Sequence, residues 1–511
     1  MAEPRRAHAW RALALITLVS AAAVWLQLRA LRPAPIVVPR VVWILPPPPP
    51  GVQLWLSTAD RKLQLAHQPD VPFAAQAPAH ADIVIDTDRR FQSIVGFGAA
   101  LTDASAWLLR NRLSEQQQAA LLRELFGPPP GLNFNMLRLT IGASDFSLKP
   151  YTLDDLPRGG TDTELQHFNV AENLRDVIPT TREILAINPH IQIVASPWSA
   201  PAWMKSGNTL IGGALLEEYE PTFAAYLARY VDTYRSYGIP IFALTLQNEP
   251  NFLPKTYPGM ELTAEARTRI ISQYLGPMLA GRKPHTVILG WDHNWDELQQ
   301  PLSVLGDPDA AGYMAGTAWH CYRGTPAAQS DVHRAYPDKD IYVTECSGGD
   351  WASAQHGELM WFARDLLLGS LRHWARGVIY WNLILDQTHG PHFGGCDLCK
   401  GILLVDTKTG AISRNDEYYA FAHYSRFVLP DAVRVWSTAT GDGLANVAFR
   451  NPDGSLVLVA INSNHAPRAI SVRAGQTAFS YTLPAQSVAT FGWNTASLPP
   501  AQPKPPALPR P

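Results

Sequence analysis

The stretch IPIFALTLQNEPN, residues 239–251, begins as a buried β-strand and ends on a carboxylate. Residues 239–247 form an apolar run rich in Leu, Phe and Thr, of strand length. Asn248, Glu249 and Pro250 follow at once, and a proline does not continue a central strand. Working outward, apolar β-type runs alternate with helix-patterned segments from about residue 91 to 425, the pattern of βα units around a parallel sheet. Candidate strands lie at 93–101, 135–142, 191–198, 240–247, 286–292, 316–322, 340–346 and 377–385. Between them run helices such as FAAYLARYVDTYRSYG, in which Tyr226, Leu227, Tyr230, Val231 and Tyr234 share a face and Gly238 supplies the stop. Eight such units predict a TIM (β/α)8 barrel, class α/β, over 91–425.

In such barrels catalytic groups collect where the strands open into the βα loops. Glu249 ends the fourth candidate strand and Glu345, in DIYVTECSGG, ends the seventh, so the two face each other across the mouth. A lone glutamate at a strand end is ordinarily a surface residue or a cap. Two at equivalent positions suit glycosidic bond cleavage. One carboxyl is held protonated for the leaving oxygen, and the other is ionised to attack the anomeric carbon. Asn248 fits as a partner for the sugar 2-hydroxyl. A retaining mechanism predicts carboxyl groups about 5–5.5 Å apart. Glu345 then needs donors, Arg138 and Tyr322 being the candidates, and Glu249 should sit where its charge is disfavoured.

The motifs GFGAALTDA (96–104), LRLTIGASDFS (137–147), YTLDD (151–155), ASPWSAPAWMK (195–205), TLQNEP (245–250), DHNWD (292–296), WHCY (319–322), TECSGG (344–349) and YWNLILD (380–386) occur in this order. On them, residues 52–494 resemble glycoside hydrolase family 30, the family of the glucosylceramidases. The resemblance implies a retaining β-glycosidase of glucosylceramidase type. An endo-β-1,6-glucanase or a β-xylosidase on the same scaffold is the alternative. A non-catalytic envelope glycan-binding protein is the alternative of another class, and the presence of both Glu249 and Glu345 argues against it. By resemblance Glu249 is the general acid/base, Glu345 the nucleophile and Asn248 the 2-hydroxyl ligand. Asp103, Trp198 and Trp381 hold the glycone, His320 and Tyr322 line the pocket near the nucleophile, and Arg138 and Asp292 are charged positions inside the barrel. Asp103 also opens the helix-patterned ASAWLLRNRL, which it could simply cap. The loop GGCDLCKGILLVD (394–406) departs from the animal glucosylceramidases towards bacterial relatives, which leaves the aglycone open. Acid/base and nucleophile suffice for the chemistry, so no metal and no cofactor is implied.

After residue 425 the pattern changes to short alternating strands, LANVAFRN, LVLVAINS, AISVRAG and SVATFGW, with a turn at NPDGS. They predict an antiparallel β-sandwich over 426–495. VQLWLSTADRKLQL at 52–65 has the same character, so strands over 52–90 are expected to join that module and make it discontinuous. Ahead of them, a basic segment and the apolar residues 12–28 predict a signal peptide or membrane anchor over 1–30, followed by a Pro-rich linker over 31–51. The Pro-rich residues 496–511 are expected to be disordered. The protein is therefore expected to be exported: periplasmic, secreted or anchored outside the cytoplasm. A net charge of -2, from 44 acidic and 42 basic residues, provides no field for nucleic acid, and the expected partner is an uncharged β-glucoside. The four cysteines could pair; CDLCKG has knuckle spacing but lacks two further ligands nearby. Cys321 and Cys346 neighbour His320 and Glu345, and strand alternation predicts that they point away from the pocket.

Overall fold

A computed structural model describes residues 51–351, 358–439 and 441–494. The expected leader or anchor at 1–30, residues 31–50 of the linker and the tail at 496–511 lie outside the described residues. Among the described residues no helix is long and apolar enough to cross a membrane.

Three strands come first: β1 (Val52–Thr58), β2 (Ala66–Val71) and β3 (Ile83–Ser93). Eight more close into a barrel: β4 (Gly96–Ala100), β5 (Met136–Ile141), β6 (Gln192–Pro197), β7 (Ala243–Thr245), β8 (Val287–Asn294), β9 (Met314–His320), β10 (Asp340–Glu345) and β11 (Ala375–Tyr380). Each pairs with its neighbours in parallel, as the βα alternation requires. A small sheet follows, made of β12 (Ile384–Asp386), β13 (Leu403–Val405) and β14 (Ile412–Arg414). The chain finishes with β15 (Val433–Ser437), β16 (Leu444–Arg450), β17 (Ser455–Asn462), β18 (Arg468–Ala474), β19 (Thr477–Leu483) and β20 (Ser487–Asn494).

Strand alternation layers the barrel interior. Met136, Val194, Ala243, Leu289, Ala318, Tyr342 and Ile379 form one buried apolar cluster. Two residues further along the same faces stand Arg138, Ser196, Thr245, His320 and Thr344, all buried and all polar. The apolar layer plugs the barrel, and the polar layer floors its mouth. Asp292 lies three residues after Leu289, an odd step that would face outward on a regular strand. A register shift against β9 between Trp291 and His293, with φ of 76° at Trp291 and 71° at Asp292, turns it back inward.

The sandwich is one nine-stranded sheet in the order β19-β18-β3-β15-β16-β17-β20-β1-β2. It curls over until its ends meet: Phe479 of β19 lies 5.1 Å from Phe491 and 5.5 Å from Trp493 of β20, six places away in the sheet. β1 pairs antiparallel with β20, so strands from before the barrel belong to the same sheet as those after it. One pair, β3 with β18, is parallel, which the expected antiparallel pattern did not include. β17 reads SLVLVAIN without polar alternation because both faces are buried. Leu456, Leu458 and Ala460 pack inside the sandwich, whereas Val457, Val459 and Ile461 join the cluster that surrounds the barrel.

The junction also buries His423, on the helix Asp416–Ser425. Its Nδ1 lies 2.8 Å from Thr490 Oγ1 and its Nε2 2.9 Å from Ser57 Oγ. The Thr490 hydroxyl donates to the His423 carbonyl at 2.9 Å, so its oxygen accepts from Nδ1–H. Ser57 Oγ already accepts from Leu65 N–H, which leaves its proton for Nε2. The pocket thus fits a neutral ring, and burial lowers the imidazole to about 3. An unfolded histidine takes its proton near pH 6.5, the folded one near 3, so stability is lost as pH falls through that window. The full loss is on the order of 5 kcal/mol. His423→Gln should flatten this slope in urea melts between pH 7 and 4; an unchanged slope would assign it elsewhere.

Candidate active site

Glu345 is the last residue of β10, whereas Glu249 stands beyond the β7 ladder, in the turn after Gln247 and Asn248. The backbone of Glu249 is left-handed, φ 48°, immediately before Pro250. That conformation costs about 1–3 kcal/mol and persists where its surroundings over-determine it. Here Glu249 N–H donates to the Asp292 carbonyl at 3.0 Å and Asn248 N–H to the Pro197 carbonyl at 2.8 Å.

Arg138 rises from the floor and joins the acids. One guanidinium nitrogen donates to Glu345 Oε2; the other donates to Asn248 Oδ1 at 2.7 Å and to Asp292 Oδ2 at 2.9 Å. Asp292 accepts further from Ser196, Thr245 and Thr344 at 2.9, 2.7 and 2.6 Å. Burial alone would raise its pKa, but Arg138 and His320 hold it far below the carboxylate range. His320 bridges the site: Nε2 is 3.1 Å from Asp292 Oδ1, and Nδ1 is 3.0 Å from Glu249 Oε1 and 3.8 Å from Glu345 Oε1. The last two distances, laid end to end, cap the separation of these two carboxylate oxygens at about 6.8 Å. The Tyr322 hydroxyl donates to Glu345 Oε1 at 2.8 Å. Burial and the charges of Glu345 and Glu249 push its pKa well up, so it stays a neutral donor.

Glu345 has the donors expected of it. Glu249 differs from expectation. Burial pushes its carboxyl up, but the His320 hydrogen bond and the two imidazoles packed on it, His293 and His320, outweigh burial and hold it at about 2. The proton rests instead on His320: burial opposes it, yet Glu345, Asp292 and Glu249 raise the imidazole to about 9.

Trp198 and Trp381, both nearly buried, stack on each other at 5.0 Å and 22°, with Arg138 Cζ 5.1 and 5.4 Å from their rings. They cluster with Phe146 and Cys399, against Tyr257 and Cys396. Asp103 is not brought to the acids. It sits in the first turn of the helix Asp103–Asn111, which Thr102 caps, and its carboxyl accepts from Ser147 at 2.6 Å and from Tyr151 at 3.0 Å. The cavity it lines is walled by Leu148, Lys149, Glu172, Arg175 and Asp176, none of them a group of the acid cluster. The acidic side chain that does approach is Asp145, in the loop after β5. It is buried, and its carboxyl is pushed well up by burial and by the charges of Glu345 and Glu249. Tyr257 feels Asp145, Glu249 and Glu345 in the same way. Asp145 and His293 both lay within quoted motifs, LRLTIGASDFS and DHNWD. Tyr257 lies in irregular chain with no periodic signal.

Cys321 and Cys346, next to His320 and Glu345, are disulfide-bonded to each other across β9 and β10, and both belong to the cluster outside the barrel. Cys396 and Cys399 form the second disulfide.

The sequence model of the glycosyl hydrolase family 30 TIM-barrel domain matches residues 94–428, and that of the glycosyl hydrolase family 30 beta sandwich domain matches residues 431–491. The chain belongs to glycosyl hydrolase family 30. It is thus a glycoside hydrolase. Within family 30 it is 35% identical over 430 residues to the endo-1,6-beta-D-glucanase neg1 of Aspergillus fumigatus, covering 78% of this chain and 85% of that one. To the lysosomal acid glucosylceramidase of Mus musculus it is 28% identical over 439 residues, 80% and 83% of the two chains. Among solved structures, the endo-beta1,6-glucanase BT3312 superposes with a TM-score of 0.80 at 32% identity, over 87% of this chain and 100% of that one.

Proposed function

We propose that this family 30 enzyme is an exported, retaining β-glucosidic hydrolase whose substrate is a β-1,6-linked glucan. The observation that carries the chemistry is the pair Glu249 and Glu345, bridged by His320 at 3.0 and 3.8 Å. This arrangement, with one pair of their oxygens no more than about 6.8 Å apart, admits the ~5–5.5 Å separation of carboxyl groups in retaining enzymes. Glu345, oriented by Arg138 and Tyr322, attacks the anomeric carbon. Glu249 delivers the proton to the leaving oxygen, drawing it from His320 Nδ1, and then takes a proton from the water that releases the sugar. Asn248, held by Arg138, faces the 2-hydroxyl, and the stacked Trp198 and Trp381 wall the glycone.

The preference for β-1,6-glucan rests on the stronger likeness to relatives named as endo-1,6-beta-D-glucanases, at 34–36% identity. One observation favours a glycolipid instead: Phe252, Leu253, Trp351 and Leu398, on the loops that follow β7, β10 and β12, are exposed apolar side chains. Side-by-side assay of gentio-oligosaccharides, glucosylceramide and aryl β-xylosides decides the matter. The proposal expects gentio-oligosaccharides to be turned over fastest; faster cleavage of glucosylceramide would overturn the substrate. Export is supported by the pairing of all four cysteines in two disulfides.

Asp145 is proposed to hydrogen-bond the glycone. Asp145→Ala should lower kcat/KM on an aryl β-glucoside by up to about 10-fold, the scale of a hydrogen bond between neutral groups. An unchanged kcat/KM would remove it from the site.

A further inference from the structure

We propose that Glu249, His293 and His320 form a binding site for a divalent transition-metal ion of the zinc type, and that an ion bound there blocks hydrolysis. His320 Nδ1 and His293 Nδ1 both face Glu249 Oε1, at 3.0 and 3.4 Å, and the ligand atoms of the three residues all lie within 4.8 Å of one another. Zinc bonds of about 2.0–2.2 Å set ligand atoms roughly 3.3 Å apart around a tetrahedron. Two of the three edges are therefore already at length, and small ring rotations close the third.

Three further observations make this a built site rather than a chance grouping. His293 is 6% exposed, and its Nδ1 makes no hydrogen bond, its 3.4 Å approach to Glu249 being an ion-pair distance only. That ring nitrogen is therefore not spent on any hydrogen bond within the protein. His320 is gripped from behind by Asp292 Oδ1 at 3.1 Å, the carboxylate–histidine arrangement that orients a ligand ring and raises its basicity. Asp292 is fixed in turn by Arg138, Ser196, Thr245 and Thr344. Finally, Glu249, Glu345 and Asp292 set three carboxylates against the Arg138 guanidinium and the protonated His320, an excess of negative charge that draws in a cation, and the ion takes the place of the His320 Nδ1 proton.

Two imidazoles and one carboxylate suit zinc and its first-row neighbours, whereas calcium and magnesium require more oxygen ligands. The ion is no part of the hydrolytic cycle. A Glu249 oxygen that ligates a metal does not hand a proton to a sugar oxygen, so occupancy and turnover exclude each other. The site itself stands on geometry; the block on turnover rests on Glu249 as the general acid.

The test uses the whole chain dialysed against a chelator, with Co2+ as the spectroscopic probe and Zn2+ as its competitor. One Co2+ per chain is expected, with visible d–d bands that Zn2+ abolishes. Glu249→Gln, nearly isosteric, and His293→Asn should each weaken binding by at least about 10–100-fold, the scale on which even outer-shell partners act. Glu345→Gln should leave it in place. Zn2+ should inhibit the wild type competitively with substrate. Bands and affinity unchanged in both Glu249→Gln and His293→Asn overturn the site. Binding that depends on these residues but leaves hydrolysis unaffected overturns the block, and with it the acid assignment.

Discussion

Glu345→Gln is expected to lose hydrolysis by on the order of 10⁴–10⁶-fold, the scale on which removing a catalytic nucleophile acts. The amide keeps the volume and the Tyr322 hydrogen bond but cannot form the glycosyl-enzyme. Arg138, which donates to both Glu345 and Asp292, keeps one anionic partner, so the fold should survive. Azide can then restore activity on an activated aryl glucoside only by attacking the anomeric carbon directly, and the product should be the inverted glucosyl azide. A retained product would overturn the assignment of Glu345 as nucleophile.

Glu249→Ala should fail differently. On a substrate with a poor leaving group, loss of the proton donor should cost about 10²–10⁴-fold. An aryl glucoside whose leaving group needs no proton should still glycosylate Glu345 at close to the normal rate. Hydrolysis of that intermediate then stalls for want of a base, and azide, which needs none, should release it as the retained glucosyl azide. NMR of the anomeric proton separates the two products. Inverted azide from this variant would exchange the two roles.

The barrel was legible because its signal is local and repeated: eight apolar runs separated by helical periodicity, each present as a strand. The two acids were legible because a glutamate closing a buried strand conflicts with its surroundings. What was not legible depends on side chains meeting across the barrel. The charge state expected for Glu249 followed from its role alone. The opposing fact, two imidazoles packed on its carboxyl, comes from β8 and β9 and depends on a bulge that no periodicity reveals. Asp103 stood at the end of a strand and the start of a helix, and the helix claimed it; Asp145 lay in an irregular loop without a pattern to mark it. β17 was recognisable as a strand, but that it separates two cores follows only from the curl of the sheet.

The pairing of β1 with β20 has a consequence for how the chain is made. On a ribosome the first three strands emerge with no sheet to join, and the entire barrel must be synthesised before β15 arrives to receive β3. β20 is inserted between β17 and β1, so the last of the described strands is an inner one. The barrel strands are thus all made well before the sandwich closes, which waits for Ser487–Asn494. A nascent chain arrested before Ser487 would leave β1 and β17 with unpaired edges, the kind of surface that holdase chaperones cover.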